Sequence, residues 1–248
     1  MLWLTGLFAF VALVYASVGF GGGSTYSALL ALSGVDYRLI PVIALVCNII
    51  VVTGGTIRFA RAGLIDWRQV LPLVAVSAPL AFVGGLVPLK QSVFFLLLGG
   101  GLFLSSVVLL VRVETFVKRR FPAPFLLAIS GAVGLLAGLS GIGGGIFMSP
   151  VLHMIRWADA KRIAAFASLY ILINSITGIA GQLVKAGPVS LMNPTAEYWP
   201  LMLAVLIGGQ IGSYLGLKLL SATWLRRLTA LLVGYVAIRL LWQGWQLL

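Results

Sequence analysis

Cysteine occurs once in this chain, at Cys47, and histidine once, at His153. A single cysteine forms no intrachain disulfide, and the pair excludes a multi-ligand Cys/His metal centre. Carboxylates are scarce too: five in 248 residues. Asp36, Asp66, Glu114, Asp159 and Glu197 all fall at the ends of apolar segments. None sits in the middle of one, so a proton relay of buried acids is unsupported. Charged residues of both signs make up only 9% of the sequence, against about 25% in a soluble domain. The N-terminus, "MLWLTGLFAFVALVYAS", lacks the basic n-region of a cleaved signal peptide and reads as a first membrane segment.

What is abundant is apolar surface. The chain is 61% hydrophobic, with a mean hydropathy of +1.12. Runs long enough to cross a bilayer recur along its length, as in a polytopic all-α membrane protein. Stretches such as "LPLVAVSAPLAFVGGLVPL" lack the apolar–polar alternation of a membrane β-barrel. The net charge of +12 does not indicate nucleic-acid binding, because no basic face interleaved with aromatics is visible. Basic loops that hold helices against the cytoplasmic leaflet account for it.

Charged or proline-rich breaks divide the chain into apolar segments at about 2–18, 22–34, 39–58, 69–89, 91–111, 123–139, 144–155, 163–184, 198–219 and 225–247. The first two abut at "GFGGGSTYS", the sixth and seventh at "GIGGGIFMS". Gly19, Gly21, Gly22 and Gly23 match Gly141, Gly143, Gly144 and Gly145. "VDYR" at 35–38 matches "ADAK" at 158–161, and "NIIVVTG" at 48–54 matches "NSITG" at 174–178 with a length change. "DW" at 66–67 answers "YW" at 198–199, which sets Gly84 against Gly216. The chain thus reads as two repeats, 1–120 and 121–248, within one membrane domain.

Segment length and charge predict how each repeat is threaded. Residues 2–34 as one helix would be about 50 Å long, far beyond a hydrocarbon core of about 30 Å. If each glycine-broken pair crosses once, the 17 Lys and Arg divide nine against eight between the two sides. If each pair is a hairpin that enters and leaves on one side, Arg38, Lys90, Lys185 and Arg239 face one side and the other thirteen the opposite side. Only the second division obeys the positive-inside rule. It gives each repeat a re-entrant hairpin and three transmembrane helices. An odd number of crossings inverts one repeat relative to the other, a common transporter architecture with the substrate at the repeat interface. Both termini then lie outside the cytoplasm.

A broken helix in a membrane exposes backbone groups, which survive only where protein or a water-filled cavity covers them. It also exposes the N-terminus of the following half-helix, whose free N–H groups favour an anion. Glycine lets that backbone approach a ligand closely. Half-helices starting near Ser24 and Ile146 could bring two such ends together. Scattered glycines such as Gly84, Gly85, Gly208, Gly209, Gly212 and Gly216 read instead as close helix packing. Asn48 and Asn174 are intramembrane amides matched across the repeats and are candidates for substrate contact. Thr53, Thr177, Ser175, Ser27, Ser149 and Gln210 are weaker candidates, since Ser and Thr also bond back to their own helix. Arg239 is either a snorkelling cation or a substrate counter-ion.

An enzyme reading fails on spacing. "GLSG" at 138–141 matches the GxSG pattern of intramembrane serine proteases, which needs a histidine within hydrogen-bond reach of the serine. His153 stands thirteen residues from Ser140, about 20 Å along a helix. The equivalent of Ser140 in the first repeat is Val18.

The duplicated "GFGGGSTYSALLALSGVDYR" and "GLSGIGGGIFMSPVLHMIRWADAKR", each followed by a span carrying "N…TG", resemble the TauE/SafE family, also called the 4-toluene sulfonate uptake permease family. The resemblance covers nearly the whole chain. It implies a bacterial inner-membrane protein that exports sulfur-containing anions such as sulfite, sulfoacetate or related organosulfonates. By similarity, Gly21, Gly22, Gly23 and Ser24 and, in the second repeat, Gly143, Gly144, Gly145 and Ile146 would face the substrate. The repeats differ at Ala28 against Pro150 and Pro79 against Ile211, so the halves contribute unequally. The expected partners are a small anionic substrate and the lipid bilayer, with no cofactor and no nucleic acid. The alternatives are an anion pore, an uptake permease or a non-transporting scaffold, and the oligomeric state is open between monomer and homodimer.

Overall fold

The computed structural model describes residues 2–17, 19–110, 122–155, 157–187, 197–215 and 222–248. Arg112, Glu114, Lys118, Arg119, Arg120, Arg156, Gly216, Lys218 and Val18 lie outside the described residues, as do the side chains of Arg226 and Arg227. Among the described residues every regular element is a helix. In chain order they are α1 (Leu2–Ser17), α2 (Gly23–Leu32), α3 (Ile40–Arg61), α4 (Trp67–Leu86), α5 (Gln91–Leu110), α6 (Ala123–Ser140), α7 (Gly145–Met154), α8 (Ala160–Ala186), α9 (Trp199–Leu215) and α10 (Ala222–Gln246). Each corresponds to one apolar segment of the sequence.

Polar residues at the segment ends set where helices start. Asp66 caps α4 by accepting a hydrogen bond from the Arg68 amide at 3.2 Å. Asp159 caps α8 through the Arg162 amide at 2.9 Å. The acids therefore work at helix ends, where the sequence put them. Helices α3, α4, α6 and α8 are long and apolar enough to cross a membrane. The ten-residue α2 and α7 are about 15 Å long, half of a hydrocarbon core.

Burial identifies the centre of the bundle. In their most apolar stretches α3 is 67% and α8 61% buried, against 33% for α4 and 39% for α6. Helices α3 and α8 pack on each other, and the outer helices pair as α1 with α9, α4 with α6, and α5 with α10. Exchanging α1–α5 for α6–α10 leaves this set of pairs unchanged. The outer pairs are closed by glycine. A methyl group on Gly134 or Gly138 would strike the Ser77 or Ala81 carbonyl. One on Gly208 or Gly212 would strike the carbonyls of Ala9 or Leu13. Small residues at these crossings let backbones meet, as the sequence suggests for the scattered glycines. Gly84 meets the Leu135 carbonyl and Gly212 that of Leu13. Leu13 and Leu135 stand equally far before Gly19 and Gly141, so by its contacts Gly84 corresponds to Gly212, four residues before its sequence match Gly216. Large apolar side chains such as Phe10, Leu104, Ile207 and Trp242 cover the outside, as lipid contact requires.

The chain folds back at the first glycine run. The rings of Phe8 and Tyr26 stack at 4.7 Å, and Tyr15 Oη lies 2.9 Å from Thr25 Oγ1. In a continuous helix Phe8 and Tyr26 would stand about 27 Å apart. Elements distant in sequence share the two ends of the bundle. Leu64, Asp66 and Gln69 of the α3–α4 connection line one cavity with Trp157, Asp159 and Arg162. At the other end Lys185 Nζ, in the last turn of α8, donates to the Val87 carbonyl at 3.5 Å.

Candidate functional site

Both glycine breaks follow one plan. After α1 the Phe20 amide bonds the Tyr15 carbonyl at 2.9 Å and the Gly19 amide the Ala16 carbonyl at 3.2 Å. This is the Schellman pairing, and it requires a left-handed residue at Gly19, whose φ is +84°. Gly22, also left-handed at φ +88°, then starts α2. In the second break Gly141 ends α6 at φ +79° and Gly144 starts α7 at φ +81°. No side chain caps either short helix. The first-turn N–H groups of α2 and α7 are thus the ones a ligand could take up. These starts, Gly23 and Gly145, fall one residue from the positions read in the sequence.

Two side chains from the central helices stand between the breaks. Asn48 of α3 is fully buried, and its Nδ2 donates to the carbonyls of Gly141 at 3.5 Å and Ile142 at 3.3 Å. A methyl group on Gly21 or Gly23 would strike the Asn48 amide, and one on Gly143 would come within 2.8 Å of Asn48 Nδ2. Ile171 of α8 is the other neighbour. A methyl on Gly145 would strike it, and one on Gly143 would approach its Cγ2 to 2.9 Å. Four glycines, two from each break, therefore converge on Asn48 and Ile171. Asn48 Oδ1 is buried with no hydrogen-bond partner. Ser175 Oγ, 3.2 Å from where a methyl on Gly143 would stand, is also buried and unpartnered. Such atoms cost about 1–3 kcal/mol each when left unsatisfied.

The remaining candidates separate. Gly22 sits against Tyr26 and Val11, and Gly144 against Val133 and Tyr170, so these two shape the break behind the convergence. Ser24 and Ile146 are buried in the first turns of their helices. Asn174 of α8 is engaged with α4: its Oδ1 accepts a hydrogen bond from Ser77 at 2.9 Å, and its Nδ2 has no partner. Thr53 donates to the Ile49 carbonyl at 2.6 Å and Thr177 to that of Ile173 at 3.0 Å, each within its own helix. Gln210 accepts from Arg58 at 3.1 Å near one end of the bundle. Ser140 donates to the Leu136 carbonyl of its own helix at 2.6 Å.

Sequence reasoning missed Ile171. The signal was present: carrying the match of "VDYR" with "ADAK" forward without a gap sets Ile171 against Asn48. Aligning the two asparagines instead required the length change. Sequence reasoning also did not single out Tyr26 and Tyr170, which pack on Gly22 and Gly144.

The sequence profile of the family described as "Sulfite exporter TauE/SafE" matches residues 4–240. A relative from Sinorhizobium fredii (strain NBRC 101917 / NGR234), named "Probable membrane transporter protein y4hK", is 35% identical over 241 residues, covering 95% of this chain and 96% of the relative. No solved structure matches the chain. Matched over nearly its whole length and built of membrane-length apolar helices around two glycine breaks, the chain belongs to the TauE/SafE family and is a multi-pass membrane transporter, not an enzyme.

Proposed function

We propose that this transporter exports a small sulfur-containing anion, such as sulfite, sulfoacetate or a related organosulfonate, bound between its two glycine breaks. The observation that carries the reading is the convergence of Gly21, Gly23 and Gly143 on the half-satisfied amide of Asn48, with Gly145 against the neighbouring Ile171. Uncapped first-turn N–H groups from α2 and α7 supply donors for anionic oxygens without a buried cation. Asn48 and Ile171 fill the space between the breaks, which favours a carrier in an occluded state over an open pore. A bound anion displaces the Asn48 amide from the Ile142 carbonyl. An anion leaving an inside-negative cell gains about 2.3 kcal/mol per charge per 100 mV, so no coupling acid is needed. The acids of the described helices serve as caps or stand at exposed ends.

The same reading makes residues 1–120 and 121–248 inverted repeats in a bacterial inner membrane, each with a re-entrant hairpin, and puts both termini outside the cytoplasm. Two facts support it. The α7–α8 turn lines a cavity with the α3–α4 connection, and the end of α8 meets the end of α4. Both require an even number of crossings between the joined elements, which hairpins give and single overlong spans do not. The test is flux in proteoliposomes. Saturable sulfite transport, inhibited by organosulfonates and lost in Asn48→Leu, is the expected result. Absence of saturable flux for every sulfur oxyanion and organosulfonate tried would overturn the reading.

A further inference from the structure

The two ends of the bundle differ in charge. At the end where α2 passes into α3, a cavity of about 630 Å³ opens between the α2–α3 turn, the α4–α5 turn and the last turn of α8. This volume suits a small-molecule site. Its wall carries Arg38, Lys90 and Lys185, one cation from each of the three segments, and a single carboxylate, Asp36. Asp36 offsets one of these three charges and leaves the wall net positive. Its Oδ1 accepts the backbone amide of Arg38 at 2.9 Å, while the Arg38 guanidinium reaches the Tyr37 hydroxyl at 3.3 Å. Among the described residues the one ion pair, Arg162 with Asp159 at 3.7 Å, belongs to the opposite cavity. That cavity is smaller, about 240 Å³, and its charged wall residues are Asp66, Asp159 and Arg162. The wall of the first cavity is therefore net positive and that of the second net negative, although the end that holds the second carries more cations in all.

The positive cavity also leads to the glycine breaks. Pro41 and Leu139 form part of its lining. Gly141 packs directly on Pro41, and the Gly141 carbonyl accepts from Asn48 at 3.5 Å. One layer of backbone separates the cavity from the amide between the breaks.

We infer that this cavity is a capture site for small oxyanions, in which Arg38, Lys90 and Lys185 hold the anion on one face of the membrane, between the breaks and the bulk solution. The inference rests on the anion reading above. In the hairpin topology these are three of the four cations on the non-cytoplasmic side, so the side poor in cations gathers most of them around one opening. The cavity sets the transporter's affinity for anion on that face. The direction of net flux is still set by gradient and membrane potential. Charged clefts of this kind raise the local ligand concentration and lose their effect as salt rises.

The test uses the purified full chain, with sulfite binding measured by calorimetry and sulfite flux by uptake into proteoliposomes, across a range of ionic strength. The variants are Arg38→Gln, Lys90→Gln and Lys185→Gln, singly and together, with Lys90→Arg as the charge-preserving control. The combined variant is expected to weaken sulfite affinity about tenfold at low salt, to flatten its salt dependence and to raise KM while the maximal rate stays near that of the parent. Lys90→Arg should behave as the parent. Unchanged affinity and salt slope in a parent that transports sulfite overturns the capture site and leaves the break site standing. A parent with no saturable flux defeats the anion reading itself. A lipid phosphate could occupy the same cations, so both measurements are run in phosphatidylcholine and in phosphatidylglycerol vesicles. Parent and combined variant binding sulfite equally in phosphatidylcholine, and differing only in their response to phosphatidylglycerol, would assign the cavity to a lipid headgroup and overturn capture of a free anion.

Discussion

The two glycine breaks share left-handed glycines at the end of one helix and the start of the next, and differ in the side chain that closes them. Each has a left-handed glycine ending one helix and another starting a half-length one. The residue at the crossing is Asn48 on the first central helix and Ile171 on the second. On the proposed reading, a duplicated scaffold thus carries one polar and one apolar gate. What the two halves share is the geometry that exposes helix N-termini. What differs is the group facing them. An amide on both sides would give the site two buried carbonyl acceptors, which an anion repels; an isoleucine on both would leave the Gly141 and Ile142 carbonyls without the Asn48 donor.

The largest effect should follow from removing the polar gate. Asn48→Leu takes the donor from two buried carbonyls and the polar group from the site, and sulfite flux should fall about a hundredfold, the rate equivalent of the roughly 1–3 kcal/mol lost with such a contact. Asn174→Leu is the matched control. It leaves Ser77 without its buried acceptor, so the melting temperature should drop while flux per folded molecule persists. Equal loss of flux in both would mean that the two amides share the site, against the different partners they have in the fold. Exchanging the gates, as Asn48→Ile with Ile171→Asn, should recover flux to within about tenfold of the parent, since volume and polarity at the crossing are retained. No recovery over Asn48→Ile alone would show that the breaks are not interchangeable.

The starting glycines should respond alike. Gly22→Ala and Gly144→Ala each force an L side chain into left-handed backbone, at about 1–2 kcal/mol. Each new methyl also meets packed neighbours: Tyr26 and Val11 in one break, Val133 and Tyr170 in the other. Thermal unfolding should register similar losses. A loss confined to one break would locate the structural asymmetry in the backbone and not in the gates.

Much of this comparison is legible in the sequence. Among the described residues each of the ten apolar segments holds a helix, because charged and proline-rich punctuation coincides with the caps, as Asp66 and Asp159 show. The half-helix starts were readable because three glycines in a row tolerate the required φ. The contact between breaks was legible only as something inverted repeats allow. What failed to transfer was register. A residue's letter, Asn, drew Asn48 and Asn174 together, whereas helix phase pairs Asn48 with Ile171. Phase is fixed by packing of α3 on α8, and a matched pair of letters does not encode it. The basic cavity was hidden for a related reason. Arg38, Lys90 and Lys185 lie in three separate segments, and only the return of α8 to the end of α4 assembles them.

The smallest effects sharpen the same point about phase. Thr53 and Thr177 match across the repeats with the length change, and both are half-buried. In each, however, the hydroxyl donates to the carbonyl one turn back, to Ile49 at 2.6 Å and Ile173 at 3.0 Å. A threonine so bonded satisfies its own donor and offers nothing new to a ligand. Thr53→Val and Thr177→Val should therefore shift stability by no more than about 0.5 kcal/mol and leave the KM for sulfite within a factor of two of the parent, with thermal unfolding and initial-rate flux as the measurements. A tenfold rise in KM in either variant would require its helix to rotate during transport far enough to turn that face toward the breaks, and the polar lining of the site would then extend along α3 or α8 beyond the single amide of Asn48.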